Sequence, residues 1–144
     1  HLNTMSRHKS MSTMLRAECH LKLDETGLCR SILQPLIGST TDRALLGRIH
    51  NLIGQSYEAD EDHDKACDHF EISLSYFGHQ TDGLAEGRVL SNLGAQYIHL
   101  RRFQEASEIL YEAEALQVKF GDRVGLTTTN HNLKMLYQAK HRSK

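Results

Sequence analysis

Residues 82–97 read DGLAEGRVLSNLGAQY, and 40 positions earlier residues 42–57 read DRALLGRIHNLIGQSY. Five pairs coincide at that offset: Asp42/Asp82, Gly47/Gly87, Arg48/Arg88, Gly54/Gly94 and Tyr57/Tyr97. A third copy, DRVGLTTTNHNLKMLY at 122–137, keeps Asp122 and Tyr137, holds Leu133 in register with Leu93, and repeats Asn92 as Asn132. Further along, Ala66/Ala106 and Phe70/Leu110 hold the same spacing. Self-similarity at a fixed period of this size marks a row of stacked supersecondary units. The period therefore decides the fold before any local reading does.

Each unit reads as two helices. Leu45, Leu46, Ile49, Leu52, Ile53 and Tyr57 fall three and four apart, which predicts an amphipathic helix over about 42–59. The acidic run Asp60-Glu61-Asp62 breaks it. A second helix runs to about residue 77, with Ala66, Phe70, Leu74 and Phe77 on one face and Gly78 at the C′ position. Asp82 is the expected N-cap of the next helix, which carries Leu84, Val89, Leu90, Leu93 and Tyr97. Arg101-Arg102 forms the following break, and Ala106, Ile109, Leu110, Ala113 and Leu116 line the partner helix. A last helix starts at Asp122. The N-terminal part aligns only when the offset shrinks to 37, setting Ala17 on Gly54, His20 on Tyr57, Cys29 on Ala66 and Leu33 on Phe70. That predicts helices over 5–23 and 28–36 around a break at 24–27, with Pro35 near the end of the second. Seven helices result, in an all-α solenoid of helix pairs.

The expected organisation is one domain over 1–144: a degenerate repeat at 5–38, repeats at 42–78 and 82–119, and a first helix of an incomplete repeat, or a cap, at 122–140. Residues 1–4 are expected to be a vector remnant, and the chain a piece of a longer protein. Composition narrows the function. Seventeen Lys+Arg balance eighteen Asp+Glu, and no apolar run approaches the ~18 residues of a membrane span, so neither nucleic acid nor membrane is an expected partner. The N-terminus has no apolar region or cleavage pattern, and three cysteines without a CxxC pair favour a reducing, cytoplasmic setting. A row of helix pairs should also bury less surface than a globule of equal mass.

The spacing Ile53-Gly54, Tyr57, Ala66, Phe70, Ser73, repeated as Leu93-Gly94, Tyr97, Ala106, Leu110, Ala113, resembles the tetratricopeptide repeat (TPR) over about residues 42–140. The resemblance implies a right-handed superhelix in which Gly54 and Ala66 face each other where the two helices cross. The 40-residue period is longer than the family's usual one and is similar to the extended repeats of kinesin light chain and of bacterial signalling and transcription proteins. The extra residues are expected near 82 and 122, and Lys134 stands where the first two copies carry a glycine.

No catalytic motif is present: there is no G-x-S-x-G, no P-loop and no dinucleotide glycine pattern, so no enzyme and no cofactor is expected. Asp60, Asp62, Asp64 and Glu71 match the acidic positions of a calcium loop, but Lys65 occupies the position that demands Gly. The stretch reads better as a solvated turn favouring the next helix's N-terminus. His63 and Cys67, four apart with His69 nearby, suggest zinc more weakly than they suggest packing. What remains is a binding surface. The resemblance implies that first helices line a concave groove for a protein or peptide, which assigns Arg48, Asn51, Gln55, Arg88, Asn92, His131 and Asn132 to it. Asn carries both a donor and an acceptor, which suits a ligand's backbone amide or, equally, an inter-helix bond. The chaperone-binding members carry lysines where this chain has Asn51 and Thr128, so that role is disfavoured. The expected function is a non-catalytic interaction or sensory region of a larger signalling or regulatory protein. A homodimer module and a metal-responsive sensor built on residues 60–71 are the alternatives.

Overall fold

The computed structural model describes residues 2–78 and 82–142, with side chains described from residue 6 onward. Seven helices follow one another: α1 (Leu2–Lys22), α2 (Thr26–Ser39), α3 (Arg43–Ala59), α4 (His63–Tyr76), α5 (Gly83–His99), α6 (Phe103–Phe120) and α7 (Arg123–Arg142). There is no strand among the described residues. Helix α2 runs through Pro35 and continues to Ser39, one turn beyond the expected end.

The repeat is written into the backbone. Among the described residues, Asp24, Glu61 and Arg101 are the non-glycine residues with positive φ, at 61–62°. Each closes the turn between the two helices of a pair. In each turn the next residue's N–H (Glu25, Asp62, Arg102) bonds back to the carbonyl of His20, Tyr57 or Tyr97 at 2.8–2.9 Å. This is the six-to-one closure of a Schellman motif, which satisfies carbonyls that the helix end leaves free. The three turns are spaced 37 and 40 residues apart, so α1–α2 is a copy of the later pairs. Helix starts repeat as well. The carboxylates of Asp42, Asp82 and Asp122 accept from the N–H of Leu45 (3.3 Å), Ala85 (3.1 Å) and Gly125 (3.0 Å). Asp62 caps α4 in the same way, so the acidic break does start the next helix.

Glycines on the first helices admit side chains from the second ones. A Cβ on Gly54 would lie 2.5 Å from the Phe70 ring, and one on Gly94 would lie 2.5 Å from Leu110. The nearest neighbour of Gly54 across the crossing is therefore the Phe70 ring. The bulky residue one turn farther along α4 reaches into the gap, while Ala66 is simply buried. Gly47 makes room for Phe77, and Gly87 for Gln117, in the same register. The extra residues of the long period are also placed unevenly. After α4 they lie in the connection to Asp82, but α6 is four residues longer than α4 and ends directly on Gly121, a left-handed C-cap. Near 122 the period lengthens a helix instead of a loop.

Each pair packs internally and against the next. The buried apolar residues form two clusters, one around Phe70, Leu93 and Leu110 and one around Ala17, Leu33 and Ile49, and Tyr57 borders both. The accessible surface is 8710 Å², above the roughly 7500 Å² expected of a globule of this mass. The excess is what a row of units leaves exposed.

Candidate functional site

Helices α1, α3, α5 and α7 place one residue set along a groove of about 370 Å³. Glu18 and Lys22 come from α1, Asn51 and Gln55 from α3, Arg88 and Asn92 from α5, and Thr128 from α7, with the Gln117 side chain of α6 reaching in. Four of the seven residues expected in the groove, Asn51, Gln55, Arg88 and Asn92, line it.

The other three sit elsewhere. Asn132 is 6% exposed, and its amide donates to the carbonyl and hydroxyl of Ser91 at 3.2 and 3.1 Å. It ties α7 to the groove-lining Ser91 of α5 and is not itself among the lining residues. His131 is exposed and is not among the lining residues. Arg48 reaches the carboxylate of Asp82 at 3.5 Å and borders a second, larger hollow of about 700 Å³ beside Thr40 and Thr41. The seam bond recurs one repeat earlier, where the half-buried Asn92 amide donates to Asn51 Oδ1 at 3.1 Å. That pair lies on the groove wall, so the same inter-helix bond presents amide groups to a ligand.

Arginine follows the same rule. Arg88 holds Asp122 by two 2.8 Å bonds, and Arg48 holds Asp82, both across 34 residues. The guanidinium keeps the Asp122 carboxyl down at about 2, below the usual carboxylate range. Beneath them Gln117, 1% exposed, accepts from the Thr129 hydroxyl at 2.6 Å and donates to the Gly87 carbonyl. The groove floor is thus a saturated hydrogen-bond network, with Asn51, Gln55 and Asn92 as its partly open amides.

The profile described as Tetratricopeptide repeat matches residues 45–117, half of the chain. The chain belongs to the tetratricopeptide repeat family. A TPR array is a protein-interaction scaffold. None of the curated proteins matches this TPR chain. No helix among the described residues is long and apolar enough to cross a membrane.

The 60–71 segment is absorbed by the scaffold. Asp60 accepts from the Thr26 hydroxyl at 2.8 Å and pairs with Arg30 at 2.9 Å, joining the α3–α4 turn to α2. His63 Nδ1 meets Gln96 Oε1 at 2.7 Å, and its ring stacks on His99. The same Gln96 donates to Glu58, whose carboxyl burial pushes upward. Cys67 is buried, its thiol pushed up to about 12, which makes it a poor ligand or nucleophile. Among the described residues no three His, Cys, Asp or Glu are grouped to hold a metal.

Sequence reading missed the histidine pairs. His50 Nδ1 lies 3.1 Å from His69 Nδ1 across the α3–α4 interface, 19 residues apart in sequence. The signal was present in the repeat itself, since the matching positions of the next copy are Leu90 and Ile109. Two histidines replacing two aliphatic core residues in one unit are expected to meet.

Proposed function

We propose that this TPR chain binds an extended polypeptide segment in the groove between α1 and α7, as an interaction region of a larger signalling or regulatory protein. The carrying observation is the line of amides Asn51, Gln55 and Asn92 across adjacent repeats on the groove wall. Amide side chains match the alternating donors and acceptors of an extended backbone and ask little of its side chains. With Arg88 already engaged by Asp122, the groove offers Lys22 and Glu18 as its remaining lining charges. It therefore selects a segment of low net charge.

A displayed library of random dodecapeptides, selected against the full chain, tests this. Peptides recovered should lose at least tenfold in affinity on Asn51→Ala plus Asn92→Ala, while the surface change Glu108→Ala leaves affinity unchanged. Undiminished binding by the groove variant would rule the site out. A second reading, a homodimer, is favoured by Val118, Phe120 and Val124 at the α6–α7 corner, which are 65%, 48% and 69% exposed. Solution mass across a concentration series separates the two.

A further inference from the structure

Four rings and two guanidiniums form one continuous stack on the side of α3 and α4 that meets α2. Arg30 of α2 lies 4.3 Å over the Tyr57 ring. Tyr57 stacks on His69 (5.5 Å), His69 on His50 (5.3 Å) and His50 on Tyr76 (5.8 Å), all within 21° of parallel. Arg43 closes the far end, 5.2 Å over Tyr76. The two histidines are thus enclosed between two permanent cations, and His50 is 7% exposed. Their Nδ1 atoms face each other at 3.1 Å, a distance at which one that carries a proton donates to the other. That arrangement holds while at least one ring is neutral, and two imidazolium rings cannot keep it.

The same Arg30 fastens α2 to the rest of the solenoid. It donates to Ser56 at 2.9 Å, pairs with Asp60 at 2.9 Å and covers Tyr57. The corresponding seam between α4 and α5 is built otherwise: the positions of His50, His69 and Tyr76 become Leu90, Ile109 and Leu116, and Tyr97 donates to Glu71 at 2.8 Å. The sister seam has its own histidines, His63 and His99, stacked between α4 and α5, but His99 is exposed whereas His50 is buried in the core.

We propose that the seam between α2 and the α3–α4 pair is a proton-controlled joint, closed when His50 and His69 share a proton and opened by acid when both are charged between Arg30 and Arg43. The groups facing the pair come from three helices. Arg30 comes from α2, Tyr57 and Arg43 from α3, and Tyr76, Asp68 and Lys65 from α4. Helix α1 meets α3 through the apolar cluster of Met14, Ala17, Ile49 and Leu52. Helix α5 meets α3 and α4 through the bonds of Asn92 to Asn51, Gln96 to Glu58 and Tyr97 to Glu71. Asp68 alone in this set favours the charged His69, and burial with Arg30 opposes it. Burial and the neighbouring ring likewise hold His50 below the ordinary histidine range. The sign follows: a histidine lowered by folding stabilises the closed seam above about pH 6.5, and that contribution fades as pH falls through the folded value. Because α1 supplies one wall of the groove, opening the joint also unmakes the groove. Only that consequence rests on the peptide-binding reading.

Hydrogen exchange of the full chain at pH 7.5 and 5.5, corrected for intrinsic rates, reads the joint without any ligand. Opening of α2 and of the facing turns of α3 and α4 should rise by roughly tenfold per pH unit below 6.5 for each histidine that must be charged, while α5 and α6 change little. His50→Gln with His69→Gln should abolish the difference. His99→Gln, which removes the exposed ring stacked on His63, should leave it. If the glutamine variant does not fold, His50→Leu with His69→Ile, the residues of the sister unit, gives the same readout. A uniform change along the solenoid, or a difference that survives in the double variant, would overturn the proposal. Failure of peptide binding with the joint intact would sink only the groove.

Discussion

The Asp122 carboxylate caps α7 through the Gly125 N–H and at the same time accepts two 2.8 Å bonds from Arg88, one helix pair upstream. One buried side chain, 3% exposed, thus starts a helix and locks it to its neighbour. Asp82 does the same for α5 with Arg48, but at 3.5 Å and with more exposure. Paired with a looser and more solvated arginine, it contributes less.

Asp122→Ala should therefore destabilise by about 2 kcal/mol, combining a lost N-cap with a lost ion pair, against about 1 kcal/mol for Asp82→Ala. Urea unfolding at pH 7 measures both. Acid adds a second check. Folding lowers the Asp122 carboxyl to about 2 from 3.8, so its contribution is full above the unfolded value and is lost as pH falls through 2. Asp122→Asn should flatten the stability profile over that window. Equal losses from the two aspartates would show that the arginine contact adds nothing to capping.

Much of this was legible before any coordinates. The aspartates at 42, 82 and 122 announce the helix starts because an N-cap needs a short acceptor at one backbone position, a local requirement that sequence records. The turns are as local, since each closes a Schellman motif on the backbone carbonyl of His20, Tyr57 or Tyr97, and the polar breaks at 60–62 and 101–102 mark two of them in the sequence. Side-chain partnership across the crossing is not local, and the Phe70 ring as the nearest neighbour of Gly54 is not legible in the spacing. Which bulky group enters a notch depends on how far the facing helix has slid, and Phe70 reaches farther than Cβ spacing suggests. The groove was half visible. Its helices follow from the repeat, but the depth of a matching position depends on what packs around it: Asn92 is half-buried on the wall, whereas Asn132, 40 residues on, is buried against Ser91.

Glycine replacements test the notches. Gly54→Ala sets a Cβ 2.5 Å from a ring that is itself fully buried, so the rise in helix propensity should be outweighed and stability should fall by about 2 kcal/mol. Gly38→Ala, with nothing within 4 Å of the new Cβ, should instead leave stability unchanged or raise it by about 0.5 kcal/mol. Thermal unfolding of the pair reads the contrast directly. A stabilised Gly54→Ala would mean that Phe70 can withdraw and that the crossing is not tightly fitted.

Asn132 and Asn92 occupy matching positions, 40 residues apart, and should nevertheless behave differently. Removing the Asn132 amide strands the Ser91 hydroxyl and carbonyl in a buried seam, an effect of about 1–2 kcal/mol on stability. Asn92 is half-buried, and its partner Asn51 can turn to water, so Asn92→Ala should alter stability by less than about 0.5 kcal/mol. Denaturant midpoints, measured with peptide affinity for each single variant, give a two-by-two comparison. Asn132→Ala should move the midpoint and spare affinity under folding conditions; Asn92→Ala should do the reverse. If Asn132→Ala weakens binding without moving the midpoint, the α5–α7 seam is part of the recognition surface and the groove extends past Thr128 toward His131.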